Sequence, residues 1–183
     1  MSERTGEMAD PVNGVAERFN AVARSWVGTP FVPHSCKRGA GVDCVRLCLA
    51  IYQEMGFMQG ASFPTYAIDG GMHQRESIVD TWIRGTGEFE QVGILQRSVG
   101  DVVTFRFGRV AHHAGIVLGL NDFVHSLKKH GVIVSRLDDP SWRDRVIACW
   151  HLQALPVVPL MRLVDLPQTD LWELRHGGAR YGV

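Results

Sequence analysis

Cys44 lies where a glycine-rich approach turns into a helix, in the run Gly39-Ala40-Gly41-Val42-Asp43-Cys44-Val45-Arg46-Leu47. A cysteine at a helix N-terminus feels the positive end of the macrodipole and the unpaired N–H groups of the first turn. Both favour the thiolate. A thiolate is a nucleophile, and a nucleophile needs a base. Downstream, the run from His112 to His125 reads as a hairpin whose three-residue loop, Gly119-Leu120-Asn121, pairs Leu118 with Asp122. That register sets His125 opposite Gly115 and makes His113 its diagonal neighbour on the same face, roughly 7–8 Å away at the backbone. A slip of one residue would send the two imidazoles to opposite faces. In the expected register His113 can act as base toward Cys44 while His125 orients it, the nucleophile–base–orienter arrangement of covalent catalysis.

Rival readings of the same residues stay in view. Taken alone, Cys44 reads equally as an inert residue of an apolar helix, the reading adopted for Cys48 and Cys149. His112 should face away from His113, and His34, His73, His130, His151 and His176 have no comparable neighbours. Zinc is the chemical rival. Cys44 and Cys48, at i and i+4, share a helix face, and Cys36, His113 or His125 could complete a tetrahedron. The chain lacks the paired Cys-x-x-Cys or closely spaced histidine ligands of such sites, so no metal is expected. Its glycines do not form a phosphate loop, because no lysine follows at the required offset.

The elements that must position these residues follow from periodicity and punctuation. Val15, Phe19, Val22, Ala23 and Trp26 recur at spacings of three and four and predict an amphipathic helix over 15–27, ended by Gly28-Thr29-Pro30. Residues 31–42 read as a loop. Asp43 reads as the N-cap of a helix that runs to about Met55, buries Val45, Cys48, Leu49 and Tyr52, and stops at Gly56. Residues 57–71 are turn-rich, and a further helix is expected from His73 to Arg84. The period then changes to two. Strands are expected at Asp101–Phe107, His112–Leu118, Asp122–Leu127, Val132–Leu137 and Arg145–Trp150. Helices followed by a meander of strands predict an α+β domain, with the cysteine helix packed on a five-stranded antiparallel sheet.

The 183 residues suffice for one domain with a real core. Residues 15–154 read as that domain, 1–14 as a flexible N-terminus, and the proline-punctuated 155–183 as an extension able to dock on partner subunits. Hydrophobic content of 45% against 21% charged is that of a soluble globular protein. Lys+Arg and Asp+Glu balance at 19 each, so no bulk field draws the chain to nucleic acid or an anionic membrane. No apolar run approaches the roughly 20 residues of a membrane span, and the N-terminus has no signal-peptide core. The expectation is a chain made in a cytoplasm, exported if at all by another route, with its four cysteines as free thiols.

Five segments now appear in order: Gly28-Thr29-Pro30-Phe31, Gly41-Val42-Asp43-Cys44, Gly100-Asp101-Val102-Val103-Thr104-Phe105, His113-Ala114-Gly115-Ile116-Val117-Leu118-Gly119 and Phe123-Val124-His125-Ser126. Together they resemble the NlpC-type cysteine peptidases, papain-like bacterial cell-wall hydrolases, over roughly residues 15–150. The run Val102–Phe107 and the stretch Trp142-Arg143-Asp144-Arg145 further resemble the phage-tail and gene-transfer-agent branch. The resemblance implies a Cys44 nucleophile, a His113 base, a His125 orienting residue and no cofactor. It also implies a peptidoglycan stem peptide as substrate, phage tail-tip proteins as partners, and a place in the virion tail with action in the cell wall or periplasm.

Two departures stand beside the nucleophile. The family's loop tyrosine, an oxyanion-site donor, is Phe31, so the backbone N–H of Cys44 remains and His34 is a candidate substitute. The small pair after the cysteine is Val45-Arg46, which sets a cation near Asp43, able to meet the thiolate, an acidic peptide or solvent. These departures keep open a structural tail-tip or plug subunit with weak or no activity, and an intracellular thiol hydrolase or acyltransferase is the third reading.

Overall fold

The N-terminal apolar stripe forms a helix in the computed structural model, which describes residues 11–66, 77–107, 111–158 and 160. Helix α1 (Pro11–Arg24) starts and ends a few residues earlier than its periodicity predicts. It buries Phe19 and Ala23, and Trp26 is buried just beyond its end. Helix α2 (Cys44–Glu54) carries Asp43 as N-cap, whose carboxylate accepts from the Arg46 N–H. It buries the expected Val45, Cys48, Leu49 and Tyr52, together with Leu47 and Ile51. Gly56, at φ +95°, turns the chain out of it.

The stretch 31–42 is not wholly a loop. Two-residue strands β1 (Cys36–Lys37) and β2 (Gly41–Val42) pair antiparallel within it. Elements this short leave no periodic trace. Helix α3 (Ile78–Thr86) starts later than expected, because the Ser77 hydroxyl caps it by accepting from the Asp80 N–H. The earlier part of that expectation, His73–Glu76, lies outside the described residues, as do residues 1–10 and 161–183 of the two expected arms.

All five expected strands form. They are β4 (Val102–Arg106), β5 (Ala111–Val117), β6 (Asp122–Leu127), β7 (Gly131–Arg136) and β8 (Val146–Leu152). A sixth strand corrects the five-stranded expectation: β3 (Phe89–Val92) pairs with β8 at the edge, giving the antiparallel order β3-β8-β4-β5-β6-β7. Only its two end residues are apolar, so its pairing with β8 defines it rather than its own pattern. A short helix α4 (Pro140–Arg143) precedes β8.

Alternation along the strands divides the core. Ala114, Ile116, Val124, Ala148 and Trp150 belong to the cluster that holds α1, α2 and α3, with Phe19, Leu47, Ile51 and Val79. Val103, Phe105, Val117, Phe123 and Cys149 form a second cluster on the other face, closed by Trp142. Beyond β8 the chain stays fastened to the domain: Leu155 is buried, and the Ser98 hydroxyl accepts from the Val158 N–H and donates to its carbonyl.

Gly115 carries a constraint that no side chain satisfies. A Cβ there would stand 2.7 Å from Phe123 Cδ2, 2.8 Å from the Val124 carbonyl oxygen and 3.2 Å from His125 Cβ. Gly115→Ala is therefore expected to lose about 1–3 kcal/mol of unfolding free energy by forcing β5 from β6. Urea denaturation of the variant beside the parent protein measures it, and an unchanged midpoint would show that the strands absorb the methyl.

Candidate active site

The start of α2 is held from three sides. The Thr29 carbonyl accepts from Val132 N–H and the Pro30 carbonyl from Val42 N–H, at 2.8 and 3.0 Å. The Ser126 hydroxyl donates to the Val42 carbonyl at 2.8 Å. Gly131, at φ +70°, lets this happen, since a Cβ there would lie 2.4 Å from the Thr29 oxygen. The Gly-Thr-Pro segment thus serves as a strap between β7 and the residue before Asp43.

Asp43 is fully buried and well served. Its Oδ1 accepts from Arg46 N–H at 2.8 Å, and its Oδ2 accepts from Arg46 Nη1 at 2.8 Å and from His34 N–H at 3.0 Å. Arg46, whose side chain is only 13% exposed, also donates to the carbonyls of Phe63 and Pro64 at 3.1 and 3.4 Å. The cation is therefore tied to Asp43 and to the 63–66 segment rather than offered to solvent. His34 is exposed, at φ +60°, and Phe31 is half-buried.

The β5–β6 register is the predicted one: Gly115 pairs with His125. The loop closes as expected, with Leu118 N–H donating to the Asp122 carbonyl at 2.8 Å. His113 Nε2 and His125 Nδ1 lie 2.8 Å apart. His125 Nε2 lies 2.8 Å from Ser135 Oγ. Ser135 is the diagonal neighbour of His125 across the β6–β7 ladder, where His125 pairs with Ile133. The logic that finds His113 would have found Ser135 too, had the loop Lys128-Lys129-His130 been read the same way. One of the two tautomer arrangements runs His113 Nε2–H to His125 Nδ1 and His125 Nε2–H to Ser135. It leaves His113 Nδ1 as an acceptor, the state a general base requires.

Trp142 covers the pair, with ring centroids 4.5 Å from His125 and 5.6 Å from His113. Phe107 stands edge-on to His113 at 5.6 Å. Sequence reasoning did not place Trp142 at the site, because α4 reaches the imidazoles only through the tertiary fold. The Cys44 sulfur lies against the backbone N–H of Ala114, the residue after His113. Strand alternation turns the His113 ring to the face opposite Ala114. Among the described residues no hydrogen bond joins the thiol to either imidazole.

Burial sets the resting protonation states. It pushes the Cys44 thiol, with help from the Asp43 charge, from its ordinary 9.0 to about 12. Burial and the Asp43 charge outweigh the lowering by the backbone N–H groups of Ala114, Val45 and Cys44, which favours the neutral thiol over the expected thiolate. Burial also lowers His113 from 6.5 to about 3, and burial with the neighbouring His113 lowers His125 to about 2. Both imidazoles rest neutral. All four cysteines are free, Cys36 exposed and the others buried. No group of three or more His, Cys, Asp or Glu gathers as a metal site among the described residues, and none of their helices is long and apolar enough to cross a membrane.

Asp101, by contrast, belongs to the scaffold. Its carboxylate accepts from Ser98 N–H at 2.8 Å and lies 2.7 Å from His151 Nδ1, while the Gly100 carbonyl accepts from the Tyr52 hydroxyl at 2.6 Å. This corner locks α2 to the sheet and gives His151 the partner that its sequence context did not reveal.

The model of the NlpC/P60 family matches residues 28–151, which include Cys44, Asp101, His113 and His125. The chain belongs to the NlpC/P60 family. It is 41% identical over 66 residues to the Escherichia coli (strain K12) protein named murein DD-endopeptidase MepS/murein LD-carboxypeptidase, across 34% of this chain and 35% of that one. The match therefore spans about a third of that relative. A Haemophilus influenzae protein named a probable endopeptidase is 24% identical over 162 residues, 82% of this chain and 80% of its own. Among solved structures, an NlpC/P60 family protein from Bacillus cereus superposes with a TM-score of 0.56 at 18% identity, over 77% of this chain and 40% of that one. The NlpC/p60 domain of the peptidoglycan hydrolase SagA gives 0.50 at 15% identity, over 74% and 97%. These structural likenesses carry the NlpC/P60 fold.

The lowered imidazoles fix the sign of a pH effect. Below pH 6.5 the unfolded chain binds protons that the native NlpC/P60 domain refuses, so native stability is full above that pH. It falls as pH drops from about 6.5 toward about 3, by up to about 1.4 kcal/mol per pH unit for each imidazole. Urea midpoints between pH 7 and 5 measure the slope. His125→Gln, which cannot protonate, is expected to flatten it, and an unchanged slope would remove the histidines as its source.

Proposed function

We propose that this NlpC/P60 chain is a cysteine peptidase that hydrolyses peptide bonds in peptidoglycan stem peptides. Cys44 is the nucleophile, His113 the base and His125 the orienting residue. The observation that carries the reading is the 2.8 Å His113–His125 pair on the strand whose Ala114 meets the Cys44 sulfur. The names of the Escherichia coli relative and of SagA support the substrate class.

The neutral resting pair sets the order of events. Cys44 Sγ attacks the carbonyl carbon as its proton passes to His113, rather than from a preformed thiolate. The oxyanion gathers near the Cys44 backbone N–H at the helix start. His113 then protonates the leaving amine, and water hydrolyses the thioester. No hydrogen bond joins the thiol to His113 among the described residues, so this transfer requires the Cys44 side chain or the His113 ring to move in the substrate complex.

Action at a phage or phage-like tail is the finer part of the proposal. It rests on the resemblance of Val102–Phe107 and of Trp142–Arg145 to that branch. Trp142 and Phe107 pack around the imidazoles, so both stretches bear on the site. Residues 155–183 are the part of the chain proposed to meet neighbouring tail proteins. The raised thiol and the missing thiol–imidazole bond favour a second reading, a tail-tip subunit that keeps the fold and is silent.

Digestion of purified peptidoglycan, read by mass spectrometry, separates the two. The parent chain should release new stem-peptide fragments, Cys44→Ala none, and His113→Ala about 10²–10⁴-fold fewer per unit time. Identical profiles from the parent and Cys44→Ala would leave the silent subunit.

A further inference from the structure

Arg46 brings a phenol to the mouth of the site. Its two hydrogen bonds to the carbonyls of Phe63 and Pro64 draw the 63–66 segment over the start of α2. Tyr66 is fixed there from three sides. Its ring meets His34 edge-on at 4.8 Å and Phe63 at 5.8 Å, and the Arg46 guanidinium carbon lies 5.9 Å from its centroid. His34, whose N–H donates to Asp43 at 3.0 Å, is thereby part of the frame that holds the ring beside the Asp43–Cys44 helix start.

The hydroxyl of Tyr66 is directed toward the Asp43 carboxylate, close enough to Cys44 for the two to interact electrostatically. Asp43 does not depend on it. Three N–H groups already serve that carboxylate, from Arg46 twice and from His34. The phenol is thus a surplus donor that can turn to a new acceptor without leaving a buried charge unpaired. Burial and the nearby Cys44 and Asp43 push its pKa above the ordinary phenol value, so it holds its proton and remains a donor across the working pH range. Phe31, in the strap beside α2, brings no hydroxyl of its own.

The geometry points to Tyr66 as a catalytic hydrogen-bond donor, its hydroxyl joining the Cys44 backbone N–H around the oxyanion formed when Cys44 attacks a carbonyl. This rests on the reading of Cys44 as nucleophile. In that step the Sγ–C bond forms, the carbonyl π pair moves onto oxygen, and the thiol proton passes to His113. The phenol keeps its proton and only hydrogen-bonds. His34 is a positioning residue that acts through the Tyr66 ring.

Tyr66→Phe in the full chain removes the hydroxyl and keeps the ring contacts. On a stem-peptide substrate kcat should fall by on the order of 10²-fold with KM within about threefold. A peptide aldehyde, which adds to Cys44 and presents an oxygen at the same place, should bind at least about tenfold more weakly. Alkylation of Cys44 by iodoacetamide forms no oxyanion, and its rate should stay within about twofold. Equal aldehyde affinity in parent and variant overturns the assignment. So does an equal loss in the alkylation rate, which would mean that the hydroxyl acts only on the thiol's surroundings. If the parent chain fails to cleave the wall peptide, the hydrolase reading falls, while the aldehyde comparison still decides Tyr66. A parent chain that forms no aldehyde adduct overturns both.

Discussion

The pairing of Gly115 with His125 is the constraint on which the rest of the site depends. In an antiparallel ladder a shift of one residue inverts every side chain, so this register alone puts His113 and His125 on one face. The ladder brings the backbones to diagonal distance, and the side chains close the remainder to 2.8 Å. Gly115 makes that approach possible because any Cβ would strike Phe123 and the Val124 carbonyl. A short glycine-centred contact thus fixes strand spacing, register and imidazole geometry together. Ser135 extends the same diagonal by one more strand.

Around this pair burial favours the neutral forms of the candidate nucleophile and the two imidazoles. Cys44, His113 and His125 are all withdrawn from water, and each meets the cost of charge in a low-dielectric setting. The N–H groups of Ala114, Val45 and Cys44 draw the thiol the other way, but burial and the adjacent Asp43 carboxylate prevail. A buried thiol and a buried imidazole can still exchange a proton when the proton moves as the new bond forms, because full charge separation in the resting state is then avoided. Preserving a neutral resting state also spares the core an uncompensated ion.

The motifs divide by physical task. The Gly-Thr-Pro strap and the Gly100-Asp101 corner both tie α2 to the sheet, the strap through backbone hydrogen bonds and the corner through the Tyr52 hydroxyl on the Gly100 carbonyl. Asp43 caps α2 and gathers Arg46, His34 and the 63–66 segment about its N-terminus. Arg46, which in isolation reads as an intruding cation, becomes a structural link because a buried carboxylate and two carbonyls claim its donors. Side-chain chemistry of the same type thus does scaffold work in one place and site work in another.

Local pattern was enough for much of this. Periodicity and turn chemistry act over a few residues, so the sequence alone placed α1, α2, the five central strands, the Asp43 cap and the His113–His125 register. The ordered motifs supplied the family. What it could not supply depends on partners distant along the chain. Strand β3 has too few apolar residues to declare itself before β8 pairs with it, and the β1–β2 ribbon is too short to show a period. Trp142 and Tyr66 reach the site only when α4 and the 63–66 segment fold over it. The effect of burial on the Cys44 thiol is illegible in sequence for the same reason: a helix start is visible there, whereas desolvation is a property of everything packed around it. The sequence determined which residues could react and which strands align them. The tertiary structure decided their charge, their enclosure and the neighbours that attend them, because burial is summed over the whole fold.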